Sequence, residues 1–331
     1  MRILGINCMN HDAAMAVVEI INGVGKVLWA AHAERYSKVK NDHYLNWSIV
    51  NEAMTYGPFK KVVYYEKPWL KKTRQLYATQ WSDALSYTEL PQWHLDHFNI
   101  KIDEYVKHHD SHAAAGYYTS PFRDATILTV DAIGEWDTVS ISTAEKIWIE
   151  RKETIKYPHS IGILYSAFTH RCGLKHKASK YGSRNLVYAG GVALNCAANK
   201  VLANLGLFDN IWIIPNPGDA GSSLGCIAAN EKQFIQWEHP FLGHNIEGEY
   251  PVDSLIKELK ENKMVGVASG RAEFGPRALG NRSLLADPRG EDIKDLVNSI
   301  KKRQKFRPFA PAILEEDVNE YFDLPTGVKN T

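Results

Sequence analysis

Two histidines four residues apart are the sharpest chemical signal in this sequence. His108 and His112 lie in the run HHDSHAAAGYYTSPF at residues 108–122. In a helix, this spacing puts both imidazoles on one face, about one turn apart. Such a pair can chelate a divalent metal ion. The alternative is a surface histidine cluster beside a helix start that Asp110 or Ser111 caps.

Two aspartates could complete a metal site with this pair. Asp131 follows a strongly apolar strand predicted at residues 125–130, and Asp219 stands in a Pro-Gly-Asp turn before a predicted helix. Two imidazoles and two carboxylates form a nitrogen and oxygen ligand set of the type used for iron or similar metals. Each aspartate could instead only cap its turn or its helix.

A further histidine, His11, lies in the first predicted turn of the chain. It could act as a general base, because neutral imidazole titrates near physiological pH. The alternative is a histidine whose ring is hydrogen-bonded within its own turn.

A glycine pair, Gly190-Gly191, follows a strand predicted at residues 185–189, and Asn195 comes shortly after it. Glycine lets the backbone approach a ligand closely, so this turn could contact a nucleotide. Many turns of this kind bind nothing, and that alternative stays open.

Basic residues crowd the sequence after residue 270. The run GRAEFGPRALGNRSLLADPR at 270–289 sets four arginines among glycine and proline, and five more basic residues follow at 301–307. Guanidinium groups held in a rigid setting suit phosphate oxygens. A solvated basic face or a nucleic-acid patch is the alternative, but the Gly-Pro-Arg setting favours a small phosphorylated ligand.

The elements that would position these residues occur in two similar halves. A strand at 1–7, a turn with His11 and a strand at 13–21 are followed, later in the chain, by a strand at 125–130, a turn with Asp131 and a strand at 138–143. This repeat suggests an α/β protein of the actin/hexokinase-like ATPase class, with ribonuclease H-like halves whose turns hold nucleotide phosphates and metal.

Further elements follow from hydrophobic periodicity. Helices are predicted at residues 46–56, 111–118, 160–172, 193–205, 220–235 and 253–262, whereas residues 69–97 show no clear period. Residues 239–251 are interpreted as a linker. The predicted domains are therefore 1–238, with the metal and nucleotide sites, and a smaller α/β domain at 239–331.

Composition excludes several classes of protein. The formal net charge of +1 selects neither nucleic acid nor membrane as a partner. The sequence has no stretch of about 18 apolar residues, so no membrane-spanning helix is expected. Its four cysteines are scattered, which argues against a zinc knuckle and a disulfide framework and favours a cytoplasmic location.

Taken together, these motifs resemble the O-carbamoyltransferase family of nodulation factor and antibiotic biosynthesis. The matching stretches lie in the family's order at residues 11–14, 108–122, 130–135, 157–168, 189–199, 217–225 and 270–314. The family's first domain is similar to tRNA threonylcarbamoyladenosine synthase, an actin-like ATPase relative. Its second domain resembles the partner enzyme that makes the acyl-adenylate.

The resemblance implies an enzyme that converts ATP and carbamoyl phosphate to carbamoyl-adenylate and then carbamoylates an acceptor hydroxyl. It implies an iron(II) or similar metal site, a base for the acceptor, an adenylate site and a carbamoyl phosphate site. The residues implied are His108, His112, Asp131 and Asp219 for the metal, His11 for the base, Gly190, Gly191 and Asn195 for the adenylate, and Arg277, Lys301 and Arg307 for carbamoyl phosphate.

Two departures from the family's pattern concern the activation of the donor. Family members carry a long segment before the glycine turn where this chain has only residues 176–184, and their second domain continues beyond the point that corresponds to Thr331. The second domain is therefore expected to be incomplete, and a second polypeptide that completes it is an expected partner.

Other interpretations stay open at this point. One alternative is a catalytically reduced module that binds adenylate and metal and needs a partner chain. Another is a sugar-kinase-like phosphotransferase, which explains the fold but not the paired histidines. Sugar hydroxyls, polyketide-like hydroxyls and hydroxymethylated bases all fit as acceptors, so nucleic acid is expected only as a modified-base acceptor.

Overall fold

A computed structural model of the chain describes residues 1–160 and 181–322. These residues form two units. The first comprises Met1–Gly243 and Phe274–Pro276, and the second comprises His244–Glu273 and, of the described residues, 277–322. The helix predicted at 160–172 lies outside the described residues, apart from its first position.

A six-stranded mixed sheet opens the first unit. Its strands are β1 (Arg2–Asn7), β2 (Ala14–Ile21), β3 (Val24–His32), β4 (Lys61–Tyr64), β5 (Glu104–Tyr105) and β11 (Ile235–Gln236). Strands β1, β2 and β3 pair antiparallel, β4 pairs parallel with β1, and β5 pairs parallel with β4. The resulting order is β11-β3-β2-β1-β4-β5.

A five-stranded sheet repeats this arrangement. Its strands are β6 (Asp124–Val130), β7 (Asp137–Glu145), β8 (Trp148–Lys156), β9 (Asn185–Ala189) and β10 (Asn210–Trp212). Here β6, β7 and β8 pair antiparallel, β9 pairs parallel with β6, and β10 pairs parallel with β9. Both sheets thus place three antiparallel strands beside two parallel ones in the same order, which confirms the predicted actin/hexokinase-like α/β class.

Helices connect and cover the strands of the first unit. They are α1 (Glu34–Ser37), α2 (Trp47–Met54), α3 (Pro68–Tyr77), α4 (Trp81–Leu85), α5 (Pro91–Asp96), α6 (His108–Thr119), α7 (Cys196–Asn204) and α8 (Ser222–Glu231). Short 3-10 turns stand at Tyr87–Glu89, Gly191–Leu194 and Asp219–Gly221. The segment at residues 69–97, which had no clear period, therefore contains three helices and one such turn.

Two central helices, α6 and α8, lie between the sheets. Helix α8 packs on β1, β2 and β4, α6 packs on β6, β7 and β9, and the two helices pack on each other. The approach is close: a Cβ added at Gly225 would lie 1.9 Å from the carbonyl oxygen of Ser111. Small residues on both helices allow this close approach. Helix α6 is therefore buried, and its first turn lies in the interior of the unit.

The start of α6 differs from the prediction. The helix begins at His108, three residues before the predicted start, and Lys107 at its N-cap makes no side-chain hydrogen bond. Asp110 accordingly lies inside the first turn, where its carboxylate pairs with Arg151. Both His108 and His112 therefore belong to one continuous helix.

The second unit contains helices and short strands. They are α9 (Val252–Asn262), β13 (Met264–Ala268), β14 (Gly270–Glu273), β15 (Arg282–Ala286), α10 (Ile293–Ile300) and α11 (Val318–Tyr321). Strands β13 and β15 pair antiparallel. A 3-10 turn at Glu315–Asp317 precedes α11. The interpretation of 239–251 as a linker is wrong in part, because β12 (Phe241–Ile246) occupies half of it.

Among residues 1–160 and 181–322, every helix is too short or too polar to cross a lipid bilayer.

Candidate metal centre

Four side chains from three elements converge in the first unit. Helix α6 supplies His108 and His112, the end of β6 leads into Asp131, and the 3-10 turn before α8 begins at Asp219. One ligand atom from each lies within 4.8 Å of every other, and all four residues are buried. The structure thus brings together all four residues that the sequence pointed to.

The separations within this cluster have the scale of a coordination shell. The Nε2 atom of His108 lies 2.9 Å from Asp131 Oδ2 and 3.5 Å from Asp219 Oδ1, and that of His112 lies 3.4 and 3.2 Å from the same two oxygens. The two Nε2 atoms are 3.1 Å apart. Adjacent ligands held about 2.0–2.2 Å from one ion are separated by about 2.8–3.6 Å.

The electrostatics of the cluster favour a bound cation. Burial opposes a positive charge on His108, yet Asp219 and Asp131 raise the pKa of its imidazole well above the usual value. Burial also opposes ionisation of Asp131, yet hydrogen bonds from both histidines hold the pKa of its carboxyl well below its ordinary range. Two buried carboxylates thus require compensating positive charge, which protons or a metal ion can provide.

A backbone carbonyl group orients the ring of His112 through its second nitrogen. Its Nδ1 donates to the carbonyl oxygen of Pro217 at 3.1 Å and lies 3.3 Å from Ser222 Oγ. A proton on Nδ1 leaves a lone pair on Nε2, which faces the other three ligands. This arrangement is typical of metal-binding histidines.

His11 lies beside one of the aspartates of the cluster. Its Nε2 is 3.5 Å from Asp219 Oδ2, which also accepts a hydrogen bond from Asn10 Nδ2 at 3.0 Å. Its Nδ1 lies 2.9 Å from Asp12 Oδ2, and this hydrogen bond raises the pKa of the imidazole to about 9. The side chain of His11 stays 47% exposed, so a substrate could reach it from outside the cluster.

The glycine turn contacts the same cluster. Gly190 has φ 90° and ψ 165°, a region that is essentially restricted to glycine. Its N–H donates a hydrogen bond to the Pro217 carbonyl oxygen, which also accepts one from His112 Nδ1. A Cβ added at Gly191 would lie 3.1 Å from Asp131 Oδ1. The turn therefore supports two of the candidate ligands in addition to any contact with a nucleotide.

Replacing Gly190 by Ala is expected to destabilise the first unit strongly. The new Cβ would lie 2.2 Å from the carbonyl oxygen of Val130, so backbone overlap adds about 1–3 kcal/mol to the conformational strain. Gly206 is the matched control, because it also has positive φ but no described residue has an atom within 4 Å of an added Cβ. Thermal unfolding should show a clearly larger loss for Gly190→Ala, and equal losses would contradict this account.

Asn195 caps a helix in the structure. Its Oδ1 accepts hydrogen bonds from the backbone N–H groups of Ala197 and Ala198 at the start of α7. Helix α7 therefore begins after this residue, whereas the prediction placed its start at residue 193. The cap fixes the side chain at the end of the glycine turn.

The three basic residues predicted to bind carbamoyl phosphate lie in two places in the second unit. Arg277 is exposed in the loop between β14 and β15, and Lys301 and Arg307 are exposed at the C-terminal end of α10. The buried amide of Asn298 joins this end of the helix to the following loop by donating to the carbonyl oxygens of Lys305 and Arg307. Lys301 and Arg307 are thus held near one helix end.

Two arginines of the basic run have structural contacts. Arg282 donates to the carbonyl oxygens of Ser269, Gly270, Asn281 and His244, and Arg289 forms an ion pair with Asp287. These guanidinium groups bind the unit's own backbone and acids. The density of arginine in this segment therefore overstates how many are available to a phosphate.

Two buried glutamates beside the cluster were missed from the sequence. Glu66 follows β4, and its Oε2 is 3.8 Å from His108 Nδ1. Glu135 Oε1 accepts the backbone N–H groups of Lys67 and His108, and burial raises the pKa of its carboxyl to about 7. A charged residue directly after an apolar strand is the signal that could have revealed Glu66.

Comparisons with known proteins agree on one family. A family model described as carbamoyltransferase N-terminus matches residues 63–182 and 176–229, and one described as carbamoyltransferase C-terminus matches residues 256–330. The protein sll1178 of Synechocystis sp. is 27% identical and aligns with 97% of this chain and 77% of its own length.

Two nodulation proteins of Bradyrhizobium diazoefficiens are closer in sequence over a shorter stretch. Nodulation protein NolO is 38% identical over 47% of this chain, and nodulation protein U is 40% identical over 46%. The matches cover 33% and 29% of those proteins, so this chain matches a third or less of their length.

Solved structures with some likeness include an activator of 2-hydroxyisocaproyl-CoA dehydratase from Clostridium difficile and a PPX-GPPA enzyme from Aquifex aeolicus. The first is 12% identical, with a TM-score of 0.36 over 70% of this chain and 96% of that one. The second is 11% identical, with a TM-score of 0.32 over 58% and 68%. The fold class therefore rests on the strand order of the two sheets.

The repeated sheets and the buried cluster between α6, β6 and α8 define an actin/hexokinase-like protein with a candidate metal centre. The family models together match most of the chain. This chain belongs to the carbamoyltransferase family of enzymes.

Proposed function

We propose that this chain transfers a carbamoyl group to an acceptor hydroxyl, through a carbamoyl-adenylate made from ATP and carbamoyl phosphate. The observation that carries the proposal is the buried set of two imidazoles and two carboxylates, with His11 beside it, in a chain of the carbamoyltransferase family. Iron(II) is the proposed ion, because mixed imidazole and carboxylate donors suit first-row metals of this kind.

The donor set fits such an ion without rearrangement of the chain. His108, His112, Asp131 and Asp219 would hold it, and each offers one atom that already faces the other three. When bound, the metal supplies positive charge that stabilises the negative charge developing on the departing adenylate. The buried walls of the site exclude water, which strengthens this effect.

His11 is proposed as the residue that takes the acceptor's proton. A hydroxyl is a weak nucleophile until a base removes its proton. As the acceptor oxygen bonds to the carbamoyl carbon, the bond from that carbon to the AMP oxygen breaks, and the proton passes to Nε2 of His11. Asp12 holds the other ring nitrogen at 2.9 Å and thereby orients the imidazole.

The remaining predicted residues are proposed to bind two anionic ligands, the adenylate and carbamoyl phosphate. Gly190 and Gly191 let the backbone approach an adenylate closely, and Asn195 ends the turn that they form. Arg277, Lys301 and Arg307 are proposed for carbamoyl phosphate, because all three are exposed cations and such groups bind phosphate oxygens well. A small molecule with a free hydroxyl is the proposed acceptor.

The test is to incubate the full chain with ATP, carbamoyl phosphate and iron(II) under anaerobic conditions and to measure carbamoyl-adenylate by mass spectrometry. Product at ordinary enzymatic rates, around 1 s⁻¹, would show that this chain activates the donor unaided, and slow or absent product is expected if a second polypeptide is needed. A reaction without carbamoyl phosphate is the control, because ATP hydrolysis in that reaction would show nucleotide turnover that does not depend on the carbamoyl donor.

A second reaction tests whether the chain is a module that needs a partner chain to activate the donor. If the chain forms no carbamoyl-adenylate but transfers the carbamoyl group when carbamoyl-adenylate is supplied, transfer stands and donor activation belongs to another polypeptide. If it neither makes nor uses carbamoyl-adenylate, the proposed function is wrong.

A further inference from the structure

A buried acidic residue, Glu66, stands directly behind the candidate metal centre. It follows β4 and is 3% exposed. Its Oε2 lies 3.8 Å from His108 Nδ1, on the side of the ring away from the other candidate ligands, and its Oε1 lies 3.0 Å from Lys71 Nζ. Lys71 compensates the charge of the carboxylate, so Glu66 can stay ionised in this setting.

The chemistry of His108 calls for an acceptor at this position. Its Nε2 faces Asp131, Asp219 and His112 and is therefore the atom that would bind a metal. A neutral imidazole that ligates through Nε2 carries its proton on Nδ1. In the described part of the chain, this buried Nδ1 has no hydrogen-bond partner. A buried N–H without an acceptor is unfavourable, so Glu66 is the group that can satisfy it.

In the described part of the chain, the other groups around the ring of His108 make no hydrogen bond with its Nδ1. The ring of Tyr65 packs against it at 5.3 Å between centroids, and a Cβ at Gly134 would lie 2.8 Å from its Cδ2. The carboxylate of Glu135 accepts a hydrogen bond from the backbone N–H of His108 and not from its imidazole ring. His112 differs, because the Pro217 carbonyl already accepts its Nδ1 proton.

We propose that Glu66 is a positioning residue of the metal centre, whose carboxylate accepts the Nδ1 proton of His108 and so directs the Nε2 lone pair at the metal. The separation of 3.8 Å is longer than a hydrogen bond, and a small rotation of either side chain closes it. This inference rests on the metal site of the proposed function and adds a residue to it.

Metal affinity measures this role without any catalytic assay. Cobalt(II) serves as the probe, because its visible absorption reports on the number and geometry of its ligands. Glu66→Gln and Glu66→Leu should weaken cobalt(II) binding by about 10- to 100-fold, the usual effect of losing such an outer partner, with the larger loss for Leu. The absorption bands should also shift, because the imidazole is no longer held in one orientation.

Matched controls separate positioning from simple loss of stability. Glu135→Gln changes another buried glutamate beside the same histidine and should leave cobalt(II) affinity and the spectrum near those of the wild type. Glu66→Leu leaves Lys71 uncompensated, so a Glu66→Leu/Lys71→Met variant restores neutrality and should bind cobalt(II) as weakly as Glu66→Leu. Thermal unfolding without metal would show whether each variant is folded.

The outcomes are distinguishable. Wild-type protein that binds cobalt(II) alongside Glu66 variants with unchanged affinity and spectrum would overturn this inference and leave the metal centre standing. Equal losses for the Glu66 and Glu135 variants would also overturn it. Wild-type protein that binds no cobalt(II) would remove the metal centre itself, and with it both proposals.

Discussion

Replacing His112 by Asn is expected to abolish tight binding of a divalent metal ion, lowering the affinity by more than about 100-fold. The Nε2 atom of His112 lies within 3.1–3.4 Å of a ligand atom of each of the other three candidate residues. Asparagine is too short to return a donor to this point from the same position on α6. Isothermal titration with cobalt(II) or iron(II) measures the change.

The same helix offers a matched control for this substitution. His109 is equally buried, but its Nδ1 lies 3.0 Å from Ser140 Oγ and it takes no part in the cluster. His109→Asn should therefore keep metal affinity, even where it lowers thermal stability. Metal affinity in a folded His112→Asn variant equal to that of His109→Asn and the wild type would show that the four-residue centre is not the metal site.

The contrast between these two histidines shows what sequence can predict. Helical spacing alone selects His108 and His112 as a pair and leaves His109 on another face of the helix, as the structure has it. Spacing cannot tell whether a helix face is buried or exposed, and a surface cluster was the open alternative. Burial of α6 depends on Gly225 of a helix far along the chain.

The two aspartates were found for a related reason. Asp131 and Asp219 each stand in a polar turn beside an apolar element, which sequence pattern detects well. Whether such an acid caps its helix or faces a ligand depends on backbone geometry. Gly218 takes the N-cap position before Asp219 in the structure, and the carboxylate faces the histidines instead.

The fold class was predicted mainly from the repeat of strand, turn and strand. Antiparallel neighbours are adjacent in sequence, so β1 with β2 and β6 with β7 could be paired from their pattern. The parallel strands are joined by long connections, and β5 and β11 have only two residues each. Such short strands carry no periodic signal, and their pairing follows only from the packing of the whole unit.

The position of Glu66 beside the cluster could not be predicted from the sequence. A single charged residue after an apolar stretch is usually exposed. Its burial depends on Lys71 and on His108, which stands 42 positions after it. Partners so distant in sequence can be recognised only once the fold is known.

Replacing His11 by Asn is expected to slow carbamoyl transfer to a hydroxyl by about 10²–10⁴-fold while metal binding stays near normal, because general-base help is lost and all four candidate ligands are retained. Single-turnover transfer from supplied carbamoyl-adenylate to a simple sugar measures this rate. His43→Asn is the matched control, since His43 is an exposed histidine whose carbonyl contacts the same turn through Met9.

The role of His11 as a base has two further signatures. Hydroxylamine attacks without a base, so transfer to hydroxylamine should be nearly the same in His11→Asn and wild-type protein. Transfer to a hydroxyl should rise with pH, because the imidazole must lose its proton before it can accept another, and the hydrogen bond that it donates to Asp12 raises its pKa to about 9. Asp12→Asn removes that hydrogen bond, lowers the pKa of His11 and should move the rise to lower pH. A cation held by Asp219 acts in the same direction, since it offsets the charge of that carboxylate. An unchanged hydroxyl rate in His11→Asn, or an equal loss toward hydroxylamine, would exclude His11 as the base and leave it a structural neighbour of Asp219.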